Sequence, residues 1–183
     1  MLTKAEILSI IIIIIILYSL VYIFIISKLK INKTTNLFIL IAIILRIILT
    51  ITDTYFLELP NSGRDSVTFE FHAYQLLQGN LSLKSYAFDN YPKVIYLIYL
   101  IIGRKPIIIR VINGILSMLT GLIIYKSIYL ITRSNKKSSI GMLIFLLFPQ
   151  SQIFSSVILR ESFIVFFSTL SIYFFIKYTI EKN

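Results

Sequence analysis

The sequence has no cysteine and no tryptophan, one histidine, four prolines and only eight acidic residues in 183 positions. Each shortage closes off a class of function. Without cysteine there is no disulfide framework, no thiolate nucleophile and no cysteine-ligated zinc. One histidine excludes a histidine-rich metal site, and no Asp-x-Asp pair offers a seat for a divalent cation, so no metal is expected. There is no P-loop and no dinucleotide glycine motif, so no cofactor is implied. Charged residues make up 14% of the chain and apolar residues 57%. A soluble domain has about 25% and about 45–50%. Disorder is excluded, because disordered chains are poor in the Ile, Leu and Phe that dominate here. The net charge is +10, but a chain this apolar is not a basic nucleic-acid-binding domain, and no nucleic acid is expected as a partner. What remains is an all-α, polytopic transmembrane helix bundle whose first partner is the lipid bilayer. The length holds roughly four to six spans of about 20 residues each.

The first uncharged run extends over about 7–26. It is too long for the apolar core of a signal peptide and no small-residue cleavage site follows, so it reads as a retained helix. The second span, about 36–55, carries Arg46 near its middle. An insertion cost of about 2.5–3.5 kcal/mol for a central charge predicts that Arg46 faces protein or water. Residues 56–92 form the one long polar stretch, an external loop with Pro60, Gly63, Gly79, Pro92 and half of the acidic residues. The apolar segment 94–102 is too short to cross alone and reads as interfacial or re-entrant. Pro106 suits the first turn of a third span over about 107–131. A fourth span, about 140–158, contains Pro149, expected to kink or end its helix. A fifth runs over about 162–180. The chain is one membrane domain over 1–183.

Lys28, Lys30 and Lys33 crowd the first hinge, Arg133, Lys136 and Lys137 the hinge after the third span, and Lys177 and Lys182 the C-terminal end. Basic residues in short loops favour the cytoplasm. Five spans then put the N-terminus outside, the C-terminus in the cytoplasm, and the 56–92 loop outside with seven of the acids, including Asp53, Asp65, Glu70, Asp89 and Glu161.

Within that loop, Phe69, Ala73, Leu76 and Leu77 recur at helical spacing, predicting an amphipathic helix along the membrane surface. Asp65, just ahead of it, has two readings. Asp65 or Ser66 is an N-cap, or Asp65 is a carboxylate held at the surface to act as a base or bind a substrate hydroxyl.

The residues then fall into a recognisable order. Arg46 lies in an early span. Gly63-x-Asp65 follows in the external loop, with Phe69 and Ala73 beyond it. Next come Tyr91-Pro92, a short apolar segment ending at Gly103, Arg110-x-x-Asn113 opening a long span, and Pro149 ahead of Arg160-Glu161. Over about 37–180 this resembles the N-terminal half of the GT-C superfamily of membrane glycosyltransferases, closest to the family-39, protein-mannosyltransferase-like group. The resemblance implies sugar transfer from a polyprenyl-phosphate donor to a glycan, lipid or protein acceptor on the outer face. It puts the catalytic base on Asp65, which would activate the acceptor hydroxyl. Arg110, Arg160 and Lys105 would offset the charge of the leaving lipid phosphate, with Glu161, Glu70 and His72 as further substrate contacts. Many members have a second acid directly after the first, where this chain has Ser66. Whole enzymes of the class also have more spans, which leaves four expectations for the chain: a complete enzyme of this type, a truncated product, an N-terminal half working with a second membrane subunit, or a non-catalytic remnant.

Each residue also has a plainer reading. His72 can pack at the interface, Arg104 and Lys105 can anchor at headgroups, and Lys126 can snorkel. Arg46 can pair with Asp53 seven residues on or with a loop carboxylate, and Arg160 can pair with Glu161. The alternatives for function are a non-catalytic subunit or degenerate fragment of a polysaccharide or cell-envelope assembly system, and a carrier for a lipid-linked solute, motivated by Arg46 and Arg110.

Overall fold

The computed structural model describes residues 4–29, 31–81 and 90–182. Lys30 and Asp89, counted above among the hinge and loop charges, lie outside the described residues. Among those described, the chain folds into eight α-helices and no strand. They are α1 (Lys4–Lys28), α2 (Lys33–Tyr55), α3 (Val67–Leu77), α4 (Tyr91–Ile102), α5 (Pro106–Thr132), α6 (Asn135–Leu147), α7 (Pro149–Phe154) and α8 (Glu161–Lys182). A π-helical turn, Ser62–Ser66, leads into α3. Four helices are long and apolar enough to cross a membrane: α1 from Leu8, α2, α5 and α8. The chain is a helical membrane bundle.

Local chemistry sets the ends of these helices. The Asn32 side chain accepts from the Thr35 amide at 2.8 Å and caps α2. Ser134 caps α6 by accepting from Lys137 N at 3.4 Å. Pro106 occupies the first turn of α5, where its missing N–H costs nothing. Gly103, at φ 76°, turns the chain out of α4 in a conformation that disfavours side-chain-bearing residues.

Helix α5 is the central helix, and small residues along it let its neighbours approach. A Cβ on Gly121 would lie 2.7 Å from a methyl of Leu146 on α6. A Cβ on Gly114 would collide with the Tyr18 hydroxyl of α1. This small-residue seam suits a membrane, where helices associate by close packing and not by expulsion of water.

The segment expected as a fourth span, 140–158, is not one helix. Phe148 adopts an extended conformation (φ −61°, ψ 125°) between α6 and α7. Pro149 is the cause: it lacks an N–H and pushes the residue before it out of the helical region. Beyond α7, residues 155–159 are irregular and all buried. Irregular backbone at membrane depth is tolerated only inside protein, where its polar groups find partners. Here they do. Asn113 of α5 donates to the carbonyls of Val157 at 2.7 Å and Leu159 at 3.0 Å. Gln152 donates to Ala42 O and Leu146 O, covering a carbonyl left open by the end of α6.

Helices α3 and α4 form a layer at one end of the bundle. Twelve residues of α4 reach about 18 Å, short of a hydrocarbon core of about 30 Å. Ala73 of α3 and Ile95 and Tyr99 of α4 bury themselves with Ile109 of α5 and Ile158, fixing the layer to the central helix. The α1–α2 and α5–α6 hinges meet at the opposite end, where Asn32 and Thr34 line the same cavity as Asn135 and Lys136.

Candidate functional site

The end of the bundle that carries α3 and α4 gathers charge. Asp53, near the end of α2, has a side chain with no solvent exposure. Its Oδ2 accepts from Arg110 Nε at 2.7 Å, and its Oδ1 accepts from the Leu59 amide at 3.0 Å. One carboxylate therefore holds the start of the loop after α2 and aims the guanidinium of α5. The ion pair between Arg46 and Asp53 does not form. Seven residues of helix separate the two by about 10.5 Å of rise, beyond direct contact, and a partner from another helix takes the carboxylate.

Glu70 of α3 makes a second junction. Arg104 donates to it through two nitrogens, at 2.8 and 2.9 Å, and the Tyr99 hydroxyl donates at 3.2 Å. The Arg104 guanidinium also lies over the Tyr74 ring, 3.8 Å from its centroid. The hydrogen bond to Glu70 is the main cause that raises the Arg104 pKa above its ordinary value. Burial, then the neighbouring Glu70 charge, pushes the Tyr99 phenol well above its ordinary range, so this hydroxyl stays a donor. Glu70 thus ties α3 to α4 and to the turn after it.

Between these junctions lies a cavity of about 450 Å³ lined by Arg104, Lys105, Arg110, Thr54, Tyr55 and Ile10. It sits at the first turn of α5, where free backbone N–H groups and the helix dipole favour an anion. Three cations face it. Two have carboxylate partners on their far sides, and Lys105 has none among the described residues. The pocket carries excess positive charge and spare donors.

Asp65 lies on the exposed π-helical turn one turn before Phe69. Neither Asp65 nor Ser66 caps α3: the cap position makes no side-chain bond, and Asp65 has no hydrogen bond or ion pair among the described residues. The carboxylate is open to solvent. Phe69, on the same face one turn on, meets the Tyr91 ring edge-on at 5.3 Å, and Tyr91 meets Phe163 of α8 at 5.6 Å. The Arg160 guanidinium lies 5.9 Å from the Phe69 centroid. This aromatic chain brings the Asp65 turn and Arg160 to one neighbourhood. The His72 ring lies tilted against the Phe71 ring, with centroids 6.0 Å apart.

Glu161 turns inward. Its Oε2 is buried without a hydrogen-bond partner, beside a small cavity of about 60 Å³ shared with Ser117, Ser151 and Ser155. Arg46 reaches the same serines from α2. It is fully buried and donates to Ser155 Oγ at 3.1 Å, Ser117 Oγ at 3.0 Å and Ala42 O at 3.1 Å. Arg46 and Glu161 therefore belong to the interior of the bundle, and Arg104, Lys105, Arg110 and Arg160 to its end.

Residues 72–183, more than half of the chain, match the dolichyl-phosphate-mannose-protein mannosyltransferase family. The chain belongs to that family. Its membership makes it a membrane protein of the GT-C glycosyltransferase type. No curated protein and no solved structure matches it. Of the residues above, His72, Arg104, Lys105, Arg110, Arg160 and Glu161 lie within the stretch matched to the mannosyltransferase family, whereas Asp53, Asp65 and Glu70 precede it.

Sequence reasoning missed two residues that organise this region. Asp53 passed as a partner for Arg46, although its place at the membrane-edge end of α2 could have pointed to Arg110. Asn113 was noted only as part of Arg110-x-x-Asn113. A polar amide three residues into an otherwise apolar stretch of helix is the signal that it serves buried backbone.

Proposed function

We propose that this protein binds a polyprenyl-phosphate-linked sugar at the Arg104–Lys105–Arg110 pocket and takes part in transferring that sugar to an acceptor hydroxyl on the outer face of the membrane. The observation that carries the reading is the convergence of three cations and a helix N-terminus in one cavity at the bundle end, the end that also holds the α3 layer and the turn bearing the unpartnered Asp65. The family match supports a phosphate-linked donor. A groove of about 350 Å³ between α1 and α2, lined by Ile15, Tyr18, Tyr22, Leu40 and Ile44, offers an apolar wall for a lipid chain.

In this reading the phosphate rests against Arg110 and Lys105, whose positive charge stabilises the leaving group as the anomeric bond breaks. Arg110 is aimed by Asp53, and its remaining donors are free for the phosphate oxygens. Asp65 takes the proton of the acceptor hydroxyl as its oxygen attacks the anomeric carbon. Arg160, beside the Asp65 turn, holds the acceptor side. Glu70 and His72 shape the site through α3. Basic hinges at the opposite end support a reading in which this end faces outside. The carrier reading loses one of its two motives, since Arg46 is sealed by serines and a backbone carbonyl.

The test is release of polyprenyl phosphate from a radiolabelled polyprenyl-phosphate mannose in membranes containing this protein. Asp65→Asn is expected to lower release about 100-fold or more, within the usual contribution of a general base, with membrane insertion unchanged. Lys105→Gln is expected to raise KM and also to lower kcat, because the cation meets the bound donor and the charge that grows on the leaving phosphate. Wild-type release rates in Asp65→Asn would refute the assignment of the base.

A further inference from the structure

The bundle end away from the proposed site holds a second cavity, of about 270 Å³, between α1, α5, α8 and the start of α6. Lys28, Lys126, Asn135, Tyr129 and Tyr173 line it. We infer that this cavity binds the headgroup of an anionic phospholipid from the adjacent leaflet.

The donor set is the argument. Lys126 projects from α5 half-buried, and no carboxylate partners it among the described residues. The acid at this end, Glu181, lies 3.6 Å from Lys177. A half-buried ammonium without a counter-ion is costly at a membrane edge, and a lipid phosphate is the anion at hand. Lys28 adds a second ammonium, poised 5.9 Å over the Phe24 ring. Asn135 adds an amide donor. Its Oδ1 accepts from the Tyr125 hydroxyl at 2.8 Å, which fixes the carboxamide and leaves its N–H groups for another partner. The phenols of Tyr129 and Tyr173 supply further O–H donors, and Tyr125 and Tyr129 stack nearly parallel, 6.3 Å apart, as one wall. The side-chain groups that line it are thus ammonium and amide donors, with phenols that can donate as well. That matches a phosphodiester, which only accepts. Free phosphate has the same acceptors, but Leu29 and Leu130 complete the lining with apolar surface. Such a floor suits a molecule whose phosphate continues into an acyl chain. The inference does not depend on the sugar-transfer reading, which concerns the other end.

Delipidated protein in detergent, titrated with phosphatidylglycerol or phosphatidylcholine and followed by native mass spectrometry, tests it. Wild-type protein is expected to prefer phosphatidylglycerol. Lys126→Gln and Lys28→Gln are each expected to weaken that binding about five-fold, the equivalent of about 1 kcal/mol per lysine. Lys177→Gln, which removes a cation already paired, is expected to leave it unchanged. Equal binding of the two lipids overturns the proposal, as does unchanged phosphatidylglycerol binding in Lys28→Gln, an exposed position where folding is not at risk. Displacement of the lipid by millimolar inorganic phosphate would overturn it too, assigning the cavity to free phosphate.

Discussion

Asp53 shows how much one buried carboxylate can organise. Its two oxygens serve a guanidinium and a loop amide, and neither has another carboxylate partner among the described residues. Breaking a buried pair by removing one partner costs about 3–5 kcal/mol, because the other charge stays buried and uncompensated. Asp53→Asn keeps an acceptor for Leu59 but strips the charge from Arg110. It is expected to lower the melting temperature measured in detergent by fluorescence-detected size exclusion, and Asp53→Asn with Arg110→Gln is expected to recover part of the loss. A double variant as unstable as the sum of the singles would show that the pair is not coupled. The sequence shows both residues and their types, but not the partnership, since 57 positions separate them. The nearer candidate, Arg46, fails on the rise of a helix. Asp65 is the opposite case. Its exposure ahead of an amphipathic helix could be read from Gly63 and the spacing of Phe69 and Ala73, and the capping alternative fell only when the cap geometry was seen.

Among the helices, the broken passage from α6 to α8 carries the most polar traffic. Pro149 made the break legible, because no proline can continue the helix. What fills the break was not legible, because its partners are backbone carbonyls, which every residue possesses and no sequence pattern marks. Asn113 and Gln152 answer those carbonyls, and each buried group left unanswered costs about 1–3 kcal/mol. Asn113→Leu orphans the carbonyls of Val157 and Leu159 together and also removes the partner of the Tyr91 hydroxyl, 3.2 Å from its amide nitrogen. The expected outcome is a loosened 155–160 segment. A cysteine placed at Ile158, which is buried in the intact protein, should react with a water-soluble maleimide in the Asn113→Leu background and resist it otherwise. Equal protection in both backgrounds would remove the structural role assigned to the asparagine. The other long helices needed no such help to be read, since length and hydropathy alone set α1, α2, α5 and α8.

Taken as one body, the bundle depends on close approach to α5. Gly114 lets the Tyr18 hydroxyl of α1 lie where a side chain would begin. Gly114→Ala is therefore expected to push α1 away and lower the melting temperature, and Tyr18→Phe in the same chain should restore part of it by withdrawing the colliding oxygen, with the ring carbon 2.8 Å from the new Cβ keeping the rest. No recovery would place the strain elsewhere in the contact. Arg46 has a consequence of another kind, one of timing. Its guanidinium is satisfied by Ser117 and Ser155, the latter 109 positions further along the chain. A growing chain delivers α2 to the membrane long before either serine has been made. Until then the helix carries a central charge at a cost of about 2.5–3.5 kcal/mol on insertion scales. Arg46 therefore favours keeping the second helix beside the insertion machinery, or in contact with water, until the seventh has been synthesised.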